Sequence, residues 1–534
     1  MPSAQFTVRD AVFQVLRDTG VTTVFGNPGS TELAFLGEWP EDFKYILALQ
    51  EASAVGMADG MSRVTGKPSF VSVHSAAGLG NCLGNLFTAY KNQVPVVVMA
   101  GQQERSLLSS EAYLAAADAT TFPEPYIKWS VEPATATDVP AALARCIKIA
   151  MQPPCGPVFI SVPDDDWDKP CEPFRIGRIA GPGEASEAEL KQVADMLSKA
   201  RRPALVAGSE IDAFDAYHCV VRLAECTGAT AYTAPVTASA AFPEDHPQFG
   251  GFLPAIPEKL SEMLERHDAV IVVGAPVFTF HVGGTAAVLT STDTRIMQIT
   301  SDPDSASRAR TELSLVGDLK ASLDLLLHLL PGLPAPSIGA PFTLQRSTPD
   351  KGEGLPSADY VLSRLRALMP EDAILVEEAP SHRPAMQRNL PVTQQGGFYT
   401  MSSGGLGYGL PASVGIALAQ NKRKVVALIG DGSMQYSIQA LWTAAQHSLP
   451  LTVVVLNNCG YGALKSFSKI MGTANTPGMD LPMIDLARIA EGYGCHASRV
   501  DDVELLEEAL KVALTDPHSH LVDISVDPEA GNVY

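Results

Sequence analysis

The chain has 534 residues, of which 46% are hydrophobic and 18% charged. This ordinary globular composition excludes a wholly disordered chain, and the length predicts two to four domains with substantial cores. The formal net charge of −21 argues against a nucleic acid or an anionic membrane as a partner. A small anionic substrate stays compatible, because a bound cationic cofactor can reverse the local field.

The cysteines and the apolar runs predict the cellular compartment. None of the eight cysteines has the spacing of a metal site, so they indicate buried or incidental thiols of a reducing compartment. The first residues do not resemble a secretory signal, and no uninterrupted apolar run reaches membrane length. We therefore expect a cytoplasmic protein with no membrane partner.

The first domain, predicted over residues 1–175, has an α/β pattern. An amphipathic helix over residues 8–16 precedes five apolar strands, which the pattern places at residues 22–25, 45–48, 70–73, 94–100 and 158–162.

Three polar residues stand at the ends of these strands. Ser30 lies at the mouth of a helix predicted from Thr31, where a serine is most often an N-cap. Glu51 starts a helix of small and apolar residues, either as a capping carboxylate or as a partner for a buried cationic or tautomerising group. His74 ends a buried strand beside a glycine-rich turn, where a core histidine is the simplest interpretation.

The second domain, predicted over residues 190–335, follows a linker at 177–189 that is rich in Gly, Ala and Glu. Apolar runs at 204–208, 269–274 and 295–300 predict three strands of another doubly wound sheet. The domain lacks a complete GxGxxG fingerprint, which argues against a bound dinucleotide. One loop at the carboxyl end of a strand ends in His281.

The third domain, predicted over residues 355–534, follows a second linker rich in Pro, Gly and Ser. Four strands are predicted, at residues 373–376, 425–429, 451–456 and 521–526. The glycines between residues 404 and 409 indicate backbone packed close to a ligand or a neighbouring helix.

Residues 425–458 read as one βαβ unit that could hold a phosphate and a cation. The first strand ends in Gly430-Asp431-Gly432, a helix is predicted from Ser433, and the second strand ends at Asn458. In a right-handed crossover both strand ends lie at one edge of the sheet, where the glycine amides and the helix start favour an anion. Asp431, Asn458 and the Gly460 carbonyl offer the hard oxygen atoms that Mg²⁺ prefers. We therefore predict a magnesium-diphosphate clamp; the alternative is a generic turn of a parallel sheet.

Gly430-Asp431-Gly432, together with Asn457-Asn458 at the end of the βαβ unit, resembles the diphosphate signature of thiamine diphosphate enzymes. Five further motifs resemble the benzoylformate decarboxylase branch of the thiamine diphosphate-dependent decarboxylases, in the same order along essentially the whole chain; they lie at residues 26–30, 49–52, 74–78, 101–103 and 165–168. The resemblance implies three doubly wound parallel-sheet α/β domains, namely pyrimidine-binding, central and diphosphate-binding. It also implies a homotetramer assembled from dimers, with thiamine diphosphate between the first domain of one chain and the third domain of its partner.

The resemblance implies non-oxidative decarboxylation of an aromatic 2-oxo acid, such as phenylglyoxylate, to an aldehyde and carbon dioxide. By position, Glu51 would protonate the aminopyrimidine ring, and Ser30 would orient the substrate carboxylate. His74 and His281 occupy the two histidine positions of the family and would transfer protons. The remaining cofactor contacts implied are Ser381, Gly404, Leu406, Gly430, Gly432, Ser433, Tyr461 and Gly462, with Leu406 holding the bent cofactor and the Gly404 carbonyl receiving the aminopyrimidine hydrogen.

The substrate pocket implied by the resemblance departs from the family pattern in several places. Its predicted lining residues are Tyr113, Leu114, Thr400, Met401, Ala463, Leu464 and Phe467. Ala463, Leu464 and Phe467 keep an apolar wall that suits an aromatic substrate, whereas Tyr113, Thr400 and Met401 differ from the residues usual there. Pocket shape distinguishes apolar groups by only about 1–3 kcal/mol per methylene, so another 2-oxo acid stays open.

Three other functions are compatible with parts of the pattern. The same cofactor chemistry supports carboligation or acetolactate synthesis, and those synthases commonly carry FAD in the central domain. A non-catalytic homologue could keep the cofactor as a brace, but it would need only the clamp and not Glu51 with both histidines. A nicotinamide-dependent dehydrogenase conflicts with the missing fingerprint.

Overall fold

Three sheets of six parallel strands organise the protein. The computed structural model describes residues 5–110, 112–177, 179–284, 294–330, 349, 351, 354–420, 423–473, 475–481 and 484–528. All strand pairs within the three sheets are parallel, and helices connect the strands. This arrangement confirms the predicted α/β class with three doubly wound parallel-sheet domains.

The first sheet has a buried centre and two partly exposed strands. Its strands are β1 (Thr23–Gly26), β2 (Lys44–Leu47), β3 (Ser69–Val73), β4 (Val96–Gln102), β5 (Ser130–Val131) and β6 (Val158–Pro163), in the order β2-β1-β3-β4-β6-β5. Strands β1, β3, β4 and β6 form the buried centre, and β2 and β5 are the partly exposed strands. Its helices are α1 (Val8–Asp18), α2 (Leu33–Leu36), α3 (Glu51–Thr65), α4 (Ser75–Lys91), α5 (Arg105–Leu108) and α6 (Val139–Met151). The amphipathic pattern correctly predicted α1, which buries Val12, Val15 and Leu16.

The second sheet contains twice the number of strands predicted. Its strands are β7 (Pro203–Ala207), β8 (Thr230–Thr233), β9 (Phe249–Phe252), β10 (Ala269–Val273), β11 (Arg295–Thr300) and β12 (Leu313–Val316), in the order β12-β11-β10-β7-β8-β9. Its helices are α7 (Glu187–Lys199), α8 (Glu210–Ala213), α9 (Tyr217–Thr227), α10 (Pro257–Leu264), α11 (Pro303–Arg308) and α12 (Leu319–Leu329). The strands missed from sequence have four residues each, too few for a clear apolar pattern.

The third sheet carries the residues of the predicted clamp. Its strands are β13 (Ile374–Glu378), β14 (Phe398–Tyr399), β15 (Val425–Gly430), β16 (Leu451–Asn457), β17 (His496–Val500) and β18 (His520–Ser525), in the order β14-β13-β15-β16-β18-β17. Its helices are α13 (Ala358–Leu368), α14 (Arg383–Asn389), α15 (Gly409–Ala419), α16 (Asp431–Met434), α17 (Ala440–Gln446), α18 (Gly462–Ile470), α19 (Leu486–Gly492) and α20 (Val503–Thr515). Sequence analysis missed the edge strands β14 and β17.

Two helix starts differ from the prediction. The helix expected from Ser433 begins at Asp431, with the extended Gly430 as its N-cap, and it ends after one turn. The turn that follows places Tyr436 against Gly407, a tertiary contact that the local pattern does not encode. At the first domain, Gly29 and not Ser30 is the N-cap, and a 3-10 turn over Ser30–Glu32 precedes α2.

The first and third domains are joined by close helix packing. Helix α3 lies against α15 so tightly that a Cβ atom on Gly60 would lie 2.2 Å from the Ala412 carbonyl oxygen. The partly buried Arg63 guanidinium also donates to the carbonyls of Thr400 at 2.8 Å and Ala238 at 2.7 Å, so one side chain links all three domains. Among the described helices, none is long and apolar enough to cross a membrane.

Candidate cofactor and active site

Three oxygen atoms meet at the carboxyl ends of β15 and β16. Asp431 is 6% exposed, and its Oδ2 accepts a hydrogen bond from the Gly460 amide at 3.0 Å. One terminal atom of the Asn458 amide lies 2.8 Å from the Gly460 carbonyl oxygen and 3.1 Å from Asp431 Oδ1. With the amide oxygen in that place, the spacing matches the edge of about 2.9 Å expected between ligands at 2.0–2.1 Å in an octahedron. The residues therefore fit a small, hard divalent cation.

The electrostatics of Asp431 agree with such a site. Burial raises the pKa of Asp431 to about 6, although the amides of Gly432 and Gly460 act in the opposite direction. The carboxylate of Asp523 adds negative charge nearby. A carboxylate buried beside another acidic group is costly to ionise unless a cation neutralises it.

Six of the residues predicted to contact the cofactor lie around this oxygen cluster. Gly432 packs against the Tyr461 ring, where a Cβ atom would lie 2.6 Å from Tyr461 Cε1. The Ser381 hydroxyl accepts a hydrogen bond from the Ala463 amide at 3.0 Å, which ties the turn after β13 to the first turn of α18. The edge thus brings together Ser381, Gly430, Gly432, Ser433, Tyr461 and Gly462.

The loop that contains Gly404 and Leu406 is fixed from two sides. The Glu378 carboxylate accepts hydrogen bonds from the amides of Gly407 at 2.7 Å, Tyr408 at 2.8 Å and Gly409 at 2.5 Å. Asn85 Nδ2 donates to the Gly407 carbonyl at 3.0 Å. Burial raises the pKa of Glu378 to about 7. Sequence analysis missed Glu378; the signal was an acidic pair, Glu377-Glu378, at the end of a buried strand.

Glu51 lies at the carboxyl edge of the first sheet, at the start of α3. Its side chain accepts hydrogen bonds from the amides of Asn27 at 3.2 Å and Asn81 at 3.0 Å, and the residue is 8% exposed. Helix α3 is capped by Gln50, whose side chain accepts from the Ser53 amide at 3.1 Å. The carboxylate of Glu51 is therefore not the capping group, and it belongs to a polar cluster that a heterocyclic nitrogen could join.

His74 faces a buried carboxylate that sequence analysis missed. Its Nδ1 lies 2.9 Å from Thr31 Oγ1 and 3.3 Å from Glu32 Oε2. Glu32 also accepts from Thr31 Oγ1 at 2.6 Å and from the Gly29 amide at 2.8 Å, and burial raises its pKa. Because Nδ1 faces these oxygens, Nε2 points to the other side of the ring. Glu32 lies three residues after the N-cap Gly29 and accepts its amide, which is one half of a capping box, and this spacing was the available signal.

Ser30 lies at the same edge as His74. The neighbouring Gly29 packs directly against the His74 ring. A Cβ atom on Gly29 would lie 2.2 Å from His74 Cγ, so only glycine lets the ring lie there. Ser30 itself is exposed. The hydroxyl of Ser75 donates to the Leu114 carbonyl, and Gln103 Nε2 donates to the Tyr113 carbonyl at 2.7 Å. These bonds hold the loop of Tyr113 and Leu114 beside the start of α4.

His281 meets the third domain. Its backbone amide donates to the Ala255 carbonyl at 3.0 Å, and its ring lies edge-on to Phe467 with 4.7 Å between ring centroids. Phe467 is on α18, which begins two residues after Gly460 and also carries Ala463 and Leu464. The loop of the central domain therefore brings an imidazole to helix α18, beside the oxygen cluster.

Thr400 and Met401 occupy a more interior position than the other pocket residues. Thr400 is fully buried, and its hydroxyl donates to the Glu377 carbonyl at 2.8 Å and carboxylate at 3.0 Å. Met401 is partly buried beside it. Thr400 therefore has no exposed surface of its own, while Tyr113 is 86% exposed.

In the central sheet the strand order reverses between β7 and β10, and the crevice at the carboxyl ends of these two strands is filled by the protein's own backbone. Gly208 follows β7 and Gly274 follows β10, and a Cβ atom on Gly208 would lie 2.3 Å from the Gly274 carbonyl oxygen. The buried carboxylate of Glu210 accepts from Thr300 Oγ1 at 2.6 Å and from the Ser301 amide at 2.6 Å. A nucleotide phosphate at this crevice would meet closed backbone and a carboxylate.

Comparison with known proteins agrees with this geometry. Residues 6–122, 190–326 and 379–524 match the thiamine pyrophosphate enzyme families described as N-terminal TPP binding domain, central domain and C-terminal TPP binding domain. Three parallel-sheet domains with these two polar edges define a thiamine diphosphate enzyme.

Individual relatives give a finer assignment. Benzoylformate decarboxylase of Pseudomonas aeruginosa is 42% identical over 97% of this chain and 98% of that protein. The solved structure of benzoylformate decarboxylase from Polynucleobacter necessarius is 38% identical, has a TM-score of 0.95 and covers 98% of this chain and 99% of that chain. The thiamine diphosphate-dependent 4-hydroxybenzoylformate decarboxylase of Rhodococcus jostii RHA1 is 39% identical, has a TM-score of 0.94 and covers 98% of this chain and 100% of that chain. The acetolactate synthase large subunit of Haemophilus influenzae is more distant, at 28% identity over 98% of this chain and 95% of that protein. The chain belongs to the thiamine diphosphate-dependent decarboxylase family of carboxy-lyases.

Proposed function

We propose that the protein decarboxylates an aromatic 2-oxo acid of the phenylglyoxylate type to an aldehyde and carbon dioxide, with thiamine diphosphate and Mg²⁺. The observation that carries the proposal is the edge-on contact of His281 with Phe467 at 4.7 Å. It combines a group that can move a proton with an aromatic wall, next to the helix start that follows Gly460. An aryl ring prefers such edge-on and offset aromatic surroundings.

Each group of residues has a defined task in this reaction. Asp431, Asn458 and the Gly460 carbonyl would hold Mg²⁺, and the glycine turn with Ser381 would receive the diphosphate. Thiamine diphosphate, when bound, would supply a nucleophilic carbon for the 2-oxo group and an electron sink for the bonding pair that carbon dioxide leaves behind.

The chain's own proton-carrying groups complete the site. The Glu51 carboxylate would hold a proton at the aminopyrimidine ring, steadied by the amides of Asn27 and Asn81. His74 would present Nε2 to the substrate because its Nδ1 faces Thr31. Ser30, exposed beside it, would donate a hydrogen bond to the substrate carboxylate.

A parallel assay tests the substrate class. Carbon dioxide release is measured with added thiamine diphosphate and Mg²⁺ from phenylglyoxylate, pyruvate and a branched-chain 2-oxo acid. Phe467→Ala should raise KM for phenylglyoxylate roughly 5- to 30-fold, since loss of one buried aromatic contact costs about 1–2 kcal/mol. Lys469→Ala, at an exposed position on the same helix, is the control and should leave KM unchanged. Turnover of aliphatic acids alone would refute the aromatic assignment.

We further propose that the two polar edges complete each other across a dimer interface, within a tetramer of two dimers. Large apolar side chains are exposed near both edges: Leu33 and Leu49 are 65% and 42% exposed in the first domain, and Tyr436 and Leu464 are 54% and 49% exposed in the third. Exposed apolar groups concentrated around polar sites are typical of surfaces that a partner covers. A second copy of the chain, related by a two-fold axis, would cover both edges at once.

Mixing two inactive variants tests this arrangement. Glu51→Gln disables the first-domain edge, and Asp431→Asn disables the third-domain edge. If each site takes one edge from each chain, a mixed dimer contains one intact site, and random exchange of equal amounts restores about a quarter of the wild-type sites. If both edges of a site come from one chain, mixing restores nothing. Sedimentation of the mixture checks that dimers and tetramers have formed.

Acetolactate-type synthesis is the second candidate, because its enzymes share the family. The closed crevice between Gly208 and Gly274 argues against the FAD that such synthases commonly carry. A flavin absorption band in the purified protein, together with acetolactate formed from pyruvate, would favour this alternative.

We also place the protein in the cytoplasm, because all eight cysteines are free thiols.

A further inference from the structure

Three histidines surround one carboxylate at the amino-terminal edge of the third sheet. His496 begins β17 and His520 begins β18, and the two residues are paired in register. Asp516 is the C-cap of α20, and His518 lies between it and β18. The cluster therefore lies at the edge opposite the oxygen cluster of Asp431, which follows the carboxyl end of β15.

The carboxylate of Asp516 is the centre of this cluster. Its Oδ2 lies 2.7 Å from His496 Nδ1 and 2.9 Å from His520 Nδ1. Its Oδ1 accepts the His518 backbone amide at 2.9 Å and lies 3.5 Å from His518 Nδ1. One ligand-type atom from each of His496, Asp516 and His518 lies within 4.8 Å of the others.

The three histidines differ in burial: His520 is inside the protein, whereas His496 and His518 are open to solvent. The His520 side chain is 5% exposed, and its Nε2 lies 2.8 Å from Ser498 Oγ, so this ring orients the carboxylate from within the protein. The His496 and His518 side chains are 59% and 57% exposed, and their ring centroids are 5.3 Å apart. The ammonium of Lys424 is bound to the Asp516 carbonyl at 3.3 Å rather than to its carboxylate.

We propose that His496, Asp516 and His518 form a surface site for a divalent transition-metal ion that prefers imidazole and carboxylate ligands, with Zn²⁺ as the reference ion. Two imidazoles and one carboxylate are a common protein ligand set for such ions, and water completes the coordination. His520 would not bind the ion itself; it would orient the Asp516 carboxylate through a hydrogen bond, as residues around the ligands of metal sites commonly do. A bound ion would join the edge strand β17 to the connection between α20 and β18.

Metal binding to the whole enzyme tests the site. Untagged protein is freed of transition metals with a chelator and then saturated with thiamine diphosphate and excess Mg²⁺, so that the clamp is filled. Equilibrium dialysis against micromolar Zn²⁺ should show one Zn²⁺ per chain. The double variant His496→Gln/His518→Gln should weaken this binding at least about a hundredfold, the upper range for loss of outer-sphere partners alone. The matched control replaces the exposed His218 and His328 by Gln and should bind like the wild type.

Two further measurements keep the test independent of variant folding. Zn²⁺ should raise the thermal midpoint of the wild type and of the control but not that of the double variant. Co²⁺ should give the visible absorption of a nitrogen-ligated ion with the wild type. The proposal is overturned if the wild type binds no Zn²⁺ beyond the clamp, if the double variant binds it equally well, or if the control loses it too.

Discussion

Replacing Glu378 by Gln should remove a pH-dependent component of the stability of the third domain. This carboxylate is 1% exposed and accepts the amides of Gly407, Tyr408 and Gly409 at the start of α15. Desolvation outweighs these three bonds and raises the pKa of Glu378 to about 7. Gln keeps the size of the side chain but cannot ionise.

The sign and size of the effect follow from the pKa. The ordinary pKa of a glutamate is 4.5, so the folded state binds the proton more tightly than the unfolded state. The wild-type free energy of unfolding should therefore fall as the pH rises from about 4.5 to about 7, by about 3 kcal/mol in total. Glu378→Gln has no carboxylate at this position, so its free energy of unfolding should not show this decrease. The difference in free energy of unfolding between variant and wild type should therefore rise in favour of the variant by about 3 kcal/mol between about pH 4.5 and about pH 7.

Thermal unfolding between pH 4.5 and pH 8 measures this difference. For a domain of this size, about 3 kcal/mol corresponds to roughly 6–12 °C in the midpoint. Glu508→Gln, at an exposed position of the same domain, is the control and should show no pH-dependent difference from wild type. A constant midpoint difference between Glu378→Gln and wild type across the whole interval would refute the reasoning. The same variant should bind thiamine diphosphate more weakly, because the loop of Leu406 loses its charged anchor.

Three further predictions concern the site. Asp431→Asn should weaken retention of Mg²⁺ and thiamine diphosphate at least about tenfold, because one charged ligand is lost; equilibrium dialysis showing unchanged retention would contradict the clamp. His281→Ala should lower turnover about a hundredfold or more, a typical contribution of an acid-base group; wild-type turnover would remove His281 from the reaction. Gly29→Ala should lower kcat but spare cofactor binding, since the new Cβ atom would lie 2.2 Å from His74 Cγ; steady-state kinetics beside cofactor titration separates the two effects.

The sequence by itself determined the α/β class, the three parallel-sheet domains and the sheet edge at which the residues of the proposed clamp meet. Long β-branched runs such as residues 425–429 and 451–456 identify buried parallel strands, because both faces of such a strand are covered. Right-handed crossovers then place the residues after those strands at one edge, so Asp431 and Asn458 could be paired without a structure. The motif order added the family, which local periodicity alone does not contain.

The tertiary structure decided which polar groups support the site. Glu32 reads as a helix-start residue, and only the fold directs its carboxylate to His74 at 3.3 Å. Glu378 reads as the end of a strand, yet it holds a loop 29 to 31 residues further along the chain. Such partners are distant in sequence, and a hydrogen bond depends on positions and angles that only the packed domains fix. Local patterns therefore predicted the edges of the sheets, and packing selected the side chains that act there.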